Sequence, residues 1–306
     1  MIGNGKIPII KFLGKYWQYY LLLLPAIAYL FIFNYLPMYG IQIAFKDYRG
    51  GLGIWGSPWA GFAHFKRFVT YPKFLTIVWN TVSINLYSLA VGFPIPIILA
   101  LLINEVHNRF FKKFVQMITY APHFISTVVI CGMLLLFTNK NVGMINNLLE
   151  FFGRNRISFM TEPGWFKTVY VFSGIWQHAG WGTIIYLAVL SGVSPELVEA
   201  AKIDGANRFQ VMWHINIPFI VPTVIILLIL NCGSLLSLGF EKVYLLQNPL
   251  NMDASEIIST YVYKVGLLGA QFSYSSAIGL FNTLCNLILL ITVNTISAKL
   301  SEASLW

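Results

Sequence analysis

The chain has 306 residues, 57% of them hydrophobic and 10% charged, with a net charge of +9. A soluble domain carries roughly 25% charged residues, so this chain cannot hide its apolar surface from water in one core, and membrane is its class. The positive balance would point to nucleic acid in a soluble protein; here it fits loops beside anionic lipid headgroups.

Charge-free windows set the topology. No Asp, Glu, Lys or Arg occurs in 16–45, 74–104, 114–139, 168–195, 209–240 or 265–298. Each is longer than the ~20 residues a helix needs to cross the hydrocarbon. Helices satisfy their own backbone polar groups in lipid, so the sequence predicts an all-α membrane protein of six spans in a single domain, 1–306.

Lys6, Lys11 and Lys15 precede Trp17, Tyr19 and Tyr20, an interfacial aromatic belt. Ala26-Ile27-Ala28 has the look of a signal cleavage site, but the apolar run continues to Ile43, too long for a signal core. The reading is an uncleaved first span. The loop 46–73 is rich in Gly and aromatics and is expected to be structured. Pro94 and Pro96 in the second window are expected to kink a helix or open a cavity. The loop 105–113 is short and basic, and 140–167 is longer and of mixed charge. Cys131, Cys232 and Cys285 all lie in apolar stretches and read as small buried hydrophobes, not as a disulfide or metal set.

The long polar interruption is 194–218. Ser194 stands at an N-cap position with Pro195 at the first helical position. Glu196 and Glu199 put negative charge where the helix dipole favours it. Leu197, Ala200 and Ala201 form one small apolar stripe. Gly205 is expected to stop the helix in the left-handed conformation. A second short amphipathic helix, with Phe209, Met212 and Trp213 on one face, should run to Pro218, where an apolar run resumes. Two short helices with a Gly elbow, hung between spans, make a docking device for a partner.

Glu199-Ala200-Ala201, Asp204-Gly205-Ala206 and the late Ile217-Pro218 resemble the EAA loop of ABC importer permeases; Ile217 stands where Leu is commoner. The resemblance implies the type I importer permease fold, with this loop as a cytoplasmic helix-turn-helix. Glu199, Ala200, Ala201, Asp204, Gly205, Arg208 and Pro218 would then be the ATPase-coupling residues. It also implies a second permease chain, two cytoplasmic ATPase subunits that bind ATP and Mg, and an extracytoplasmic solute-binding protein in a bacterial plasma membrane. Pro37-Met38-Tyr39-Gly40-Ile41 and the loop after it are similar to the subfamily that imports larger oligosaccharides. That implies polysaccharide fragments, including uronate-containing ones of alginate or pectin type, and a heterodimer of permeases.

Catalytic signals are absent. Gly3-Asn4-Gly5-Lys6 lacks phosphate-loop spacing, no H-E-x-x-H or G-x-S-x-G occurs, and the five histidines are scattered. The chain reads as a non-catalytic translocation subunit with no cofactor of its own. The windows also lack the carboxylates and the Lys and Arg cations that ion-coupled carriers commonly keep, so energy is expected to enter from a partner. The alternative is a self-contained ion-coupled carrier, but the halves show no convincing repeat. Neutral sugars need amides, hydroxyls and aromatic faces. Trp176, Gln177, Trp181, Tyr186, Asn231, Asn282 and Asn286 are the substrate-path candidates. Trp and Tyr also anchor spans at interfaces, and Asn also bonds neighbouring helices. His178 reads as a satisfied core histidine. Charge counts do not orient the chain: with the N-terminus inside, the 20 Lys and Arg divide almost evenly between the two sides. The basic density of 105–113 and the EAA resemblance place the N-terminus and the loop in the cytoplasm.

Overall fold

A computed structural model describes residues 9–300 and 304, with side chains from Tyr16 to Lys299 and at Ser304. Lys6, the Gly3-Asn4-Gly5 run and the side chains of Lys11 and Lys15 lie outside the described residues. Among the described residues the only extended pairings are isolated bridges, Lys46 with Trp59 and Arg49 with Gly53. Four helical runs are long and apolar enough to cross a membrane: Tyr16–Phe45, Phe74–Asn104, Arg208–Gly233 and Phe272–Lys299. Two bent pairs bring the number to six: Arg109–Phe124 with Thr127–Phe137, bent by 98°, and Pro163–Leu190 with Pro195–Ile203, bent by 80°.

Proline sets the local shape of these spans. Three π-turns, Phe31–Tyr35, Ser88–Gly92 and Met212–Asn216, each end two residues before a proline: Pro37, Pro94 and Pro218. A proline inside a helix removes one donor and drives its ring toward the carbonyl four residues back. Widening the preceding turn re-routes those backbone bonds while the helix continues. The expected kink at Pro94 is therefore absorbed as a wide turn within a continuous span.

Expected bounds differ at four spans, and the fourth helix runs Pro163–Leu190 rather than over 168–195. The third window, 114–139, is not one helix. Residues 121–124 tighten into a 3-10 turn containing Pro122, and Ile125 and Ser126 are extended. Ser126 then restarts the chain by accepting the Val129 N–H at 3.4 Å. The fifth span stops at Gly233 rather than 240, where Gly233 meets Leu290 of the last span. The sixth begins at Phe272 rather than 265. Residues 258–268 form a separate helix, and Ala270, with φ of 51°, turns the chain between the two.

One short helix, Phe240–Leu246, folds back among the spans and buries Lys242, Val243 and Leu246. It joins Ile84, Cys131, Phe166 and Leu238 in one of three apolar clusters. Cys131 is buried and Cys232 and Cys285 are half-buried; all three are free thiols, as their apolar settings predict.

The loop 46–73 is structured. Phe45 stacks on Trp59, Lys46 donates to the Ile54 carbonyl at 2.7 Å, and His64 approaches Asp47 at 3.0 Å. At its end Lys73 meets Asp253 at 3.1 Å. The hydrogen bond and charge of Asp253 raise the Lys73 ammonium above its ordinary pKa, but full exposure leaves the pair little weight in stability. In the loop 140–162, Asn146 is fully buried. Its amide donates to the Asn139 and Ile157 carbonyls and accepts from the Ile157 N–H.

The first span stands apart. None of its most apolar stretch is buried by the rest of the chain, against 17% for the second, fifth and sixth spans.

Candidate functional site: the protruding loop and the cleft between spans

The helix Pro195–Ile203 leaves the fourth span at an angle of 80°. Ser194 occupies the N-cap position, but its side chain makes no capping bond. The other end follows the sequence closely. Gly205 has φ of 88°, and the Ala206 N–H bonds the Ala201 carbonyl at 2.9 Å, the six-to-one closure of a glycine-terminated helix. Asn207 then opens the second arm with a reciprocal cap: it accepts the Gln210 N–H at 2.9 Å, and Gln210 accepts the Asn207 N–H at 2.7 Å. Sequence reasoning missed this cap, although Asn207 and Gln210 have the required spacing.

The second arm is not a separate helix ending at Pro218. Residues 208–233 form one helical run, so the arm is the first turns of the fifth span. Phe209 and Trp213 are exposed, while Met212 turns inward against Leu190 and Ile220. Glu199, Ala200, Asp204, Gly205, Arg208 and Pro218 are exposed, and Ala201 is half-buried. Ile203 is 86% exposed and Phe209 76% exposed. These are apolar side chains on a small protrusion that buries little of itself.

The second feature is a cleft of about 510 Å³ between the second, fourth and fifth spans and the folded-back segment 234–242. Its walls are mainly apolar, with Asn85, Ser88, His178, Asn231, Ser234 and Lys242 among the polar groups.

Of the seven path candidates, Tyr186 and Asn231 line this cleft. Trp176 instead lines a separate apolar groove with Phe172, Phe137 and Trp165. Gln177 is buried and donates to the Ile125 carbonyl at 3.2 Å, tying the fourth span to the break in the third. Trp181 stacks on His123 with centroids 4.4 Å apart, and His123 meets His178 Nδ1 to Nδ1 at 3.1 Å. Asn286 accepts the Leu236 N–H at 2.9 Å and donates to Ser237 at 2.8 Å, bracing the turn after the fifth span. Asn282 lies off the cleft, with a buried carbonyl oxygen that accepts no hydrogen bond among the described residues.

Lys242 was also missed. It follows the fifth charge-free window and reads from sequence as part of a polar loop, yet it is 9% exposed and reaches the cleft wall. The available signal was its neighbours: Phe240, Val243, Leu245 and Leu246 make the segment too apolar for a solvated loop. A cation therefore does lie among the spans, although none of the charge-free windows contains one.

Residues 92–302, more than half of the chain, match the family described as binding-protein-dependent transport system inner membrane component. The chain is 47% identical over 287 residues to the polygalacturonan/rhamnogalacturonan transport system permease protein YteP of Bacillus subtilis (strain 168), covering 94% of this chain and 89% of that one. It is 32% identical over 234 residues to the arabinooligosaccharides transport system permease protein AraP of the same organism, covering 75% and 72%. A crystal structure of a bacterial alginate ABC transporter, in complex with an alginate pentasaccharide-bound periplasmic protein, contains a chain that superposes with a TM-score of 0.88 at 39% identity, covering 96% and 99%. The loop, the broken spans and these likenesses agree: the chain belongs to the inner membrane components of binding-protein-dependent transport systems, as a permease of the ABC sugar importers.

Proposed function

We propose that this permease forms one half of the translocation pathway of an importer for oligosaccharides released from uronate-rich polysaccharides. The loop around Glu199–Gly205 faces the cytoplasm and seats in a cleft of a separate ATPase subunit. Two such subunits bind ATP and Mg, and their closure draws the loops together and rocks the spans. An extracytoplasmic binding protein delivers the sugar. A second, different permease completes the pathway, and the first span, unpacked in this chain, is a surface suited to it.

The observation that carries this reading is the exposure of Ile203 and Phe209 on a loop whose backbone is fixed by Gly205 and the Asn207 cap. A rigid apolar knob outside the bundle is built to enter another protein. Likeness to a polygalacturonan/rhamnogalacturonan permease and to an alginate transporter chain supports the acidic-sugar class.

The test is uptake by vesicles holding both permeases, the ATPase and the binding protein. Oligogalacturonide uptake is expected to require ATP and to fall at least a hundredfold when the ATPase's phosphate-binding lysine is replaced, the order of loss expected when the charge clamp on a transferring phosphate is removed. Uptake that persists without ATP hydrolysis, driven by an ion gradient, would overturn the reading.

A further inference from the structure

Lys242 is a buried cation without a counter-ion. Among the described residues no carboxylate lies within pairing distance of its ammonium; the four ion pairs involve other groups. Its Nζ donates to the Tyr170 carbonyl at 3.1 Å and stands 4.8 Å from the centre of the Tyr170 ring. A lysine ammonium has three N–H donors, and this one bond is all the described residues give it. Across from it Gly174 has no side chain; a Cβ there would stand 3.5 Å from Nζ, so the glycine leaves the cleft side of the ammonium open.

The amine is held in place. Lys242 lies on the Phe240–Leu246 helix, whose Val243 and Leu246 are fully packed, and Cys131 approaches the Lys242 carbonyl at 3.9 Å. A partly desolvated, unpaired charge is costly to keep. Its retention makes sense if an anion arrives during the working cycle.

We propose that Lys242 is a carboxylate-binding residue of the translocation cleft, receiving the acid groups of a uronate oligosaccharide as they pass. This deepens the substrate reading above and rests on it. Placement favours a transported carboxylate over a lipid phosphate: Lys242 is 9% exposed and its side chain lines the cleft between the second, fourth and fifth spans, whereas a phosphate headgroup lies around the outside of the bundle. Asn231 and Ser234 line the same cleft; the Asn231 amide donates to the Leu227 carbonyl at 2.7 Å and the Ser234 hydroxyl to the Asn231 backbone carbonyl at 3.0 Å, which leaves their side-chain oxygens as neutral acceptors for sugar hydroxyls. The lysine separates charged from neutral sugars, and the amides and hydroxyls do not.

The experiment uses the complete complex in vesicles. Oligogalacturonide of one length is supplied on the binding protein, either as free acid or fully methyl-esterified, to wild type, K242M and K242R. The binding protein sets the apparent KM, so the effect belongs in the maximal rate. Free-acid uptake is expected to fall roughly tenfold to a hundredfold in K242M, the worth of one charged hydrogen bond. K242R should restore most of it, and ester uptake should hold within about twofold in both variants. Free-acid uptake by K242M at the wild-type rate would overturn the proposal. So would an equal loss for acid and ester, or a K242R as poor as K242M, because either marks Lys242 as a packing residue. A wild-type complex that carries the ester but not the acid refutes the uronate reading itself, and this inference with it.

Discussion

Gly205→Val is expected to uncouple the transporter: substrate-stimulated ATP hydrolysis and uptake both fall at least tenfold, while the permease still inserts and assembles at near wild-type levels. Gly205 has φ of 88°. A residue with a Cβ loses about 1–2 kcal/mol in that conformation, and a β-branched one more. The loop has little else to hold it, since Glu199, Ala200, Asp204 and Arg208 are exposed. The backbone will relax by turning at Gly205. That moves Ile203 and Phe209 relative to each other, and the knob no longer fits its socket. No Cβ at 205 would meet another atom within 4 Å, so the defect is directional rather than a clash. Glu199→Lys, which reverses an exposed charge on the same protrusion, should give the same phenotype through electrostatics. ATPase rate, uptake and membrane level measured side by side decide it; wild-type coupling in Gly205→Val would remove the loop from the mechanism.

Gly180→Ala should damage the fold itself. A Cβ at 180 would fall onto the Thr119 carbonyl and press on the Thr119 side chain. The clash is with backbone, so no rotamer change relieves it, and the third and fourth spans must separate where the third is already broken. Overpacking of this kind costs about 1–3 kcal/mol and occasionally more. The purified complex should show a lower Tm, with uptake falling in step with the amount of folded permease. Gly164→Ala is the matched control on the same helix, because nothing lies within 4 Å of a Cβ there. Equal Tm values for the two variants would show that the spans do not approach as closely as the structure has them. Gly182, whose Cβ would stand 3.0 Å from Pro96, extends the same small-residue contact toward the second span.

The parts of this molecule that could be read from sequence are those governed by local rules. The bounds of the first two spans follow from uninterrupted apolar length, because lipid rewards nothing else. The left-handed Gly205 and the helix Pro195–Ile203 follow from Pro195 at the first position, the acidic first turns and the glycine stop, which act within one or two turns, although the Ser194 side chain makes no capping bond. The break in the third span was visible as Pro122 and Ser126 but was hidden by the lack of charge: a hydropathy window counts lipid compatibility, not direction. The fate of 234–271 was legible only in part: Phe240, Val243, Leu245 and Leu246 make the segment too apolar for a solvated loop, but where it folds is decided by packing against Cys131, Tyr170 and Phe166. The path candidates divided for the same reason. Tyr186 and Asn231 reach the cleft, although the Asn231 amide also donates to the Leu227 carbonyl of its own helix, whereas Gln177 and Asn286 tie the fourth and sixth spans to backbone at breaks elsewhere. A polar residue in a span announces a bond, but not whether its partner is substrate or protein.

In the proposed mechanism the loop enters a cytoplasmic ATPase and moves this chain as a gate. Labelling of Ile203→Cys with a membrane-impermeant maleimide tests it most directly, in a background where Cys131, Cys232 and Cys285 are replaced. Ile203 is exposed on the knob, so reaction is expected in inside-out vesicles, not in right-side-out ones, and is expected to be blocked once the ATPase is assembled. Labelling from the outer face, or labelling that the ATPase leaves unchanged, would contradict the account.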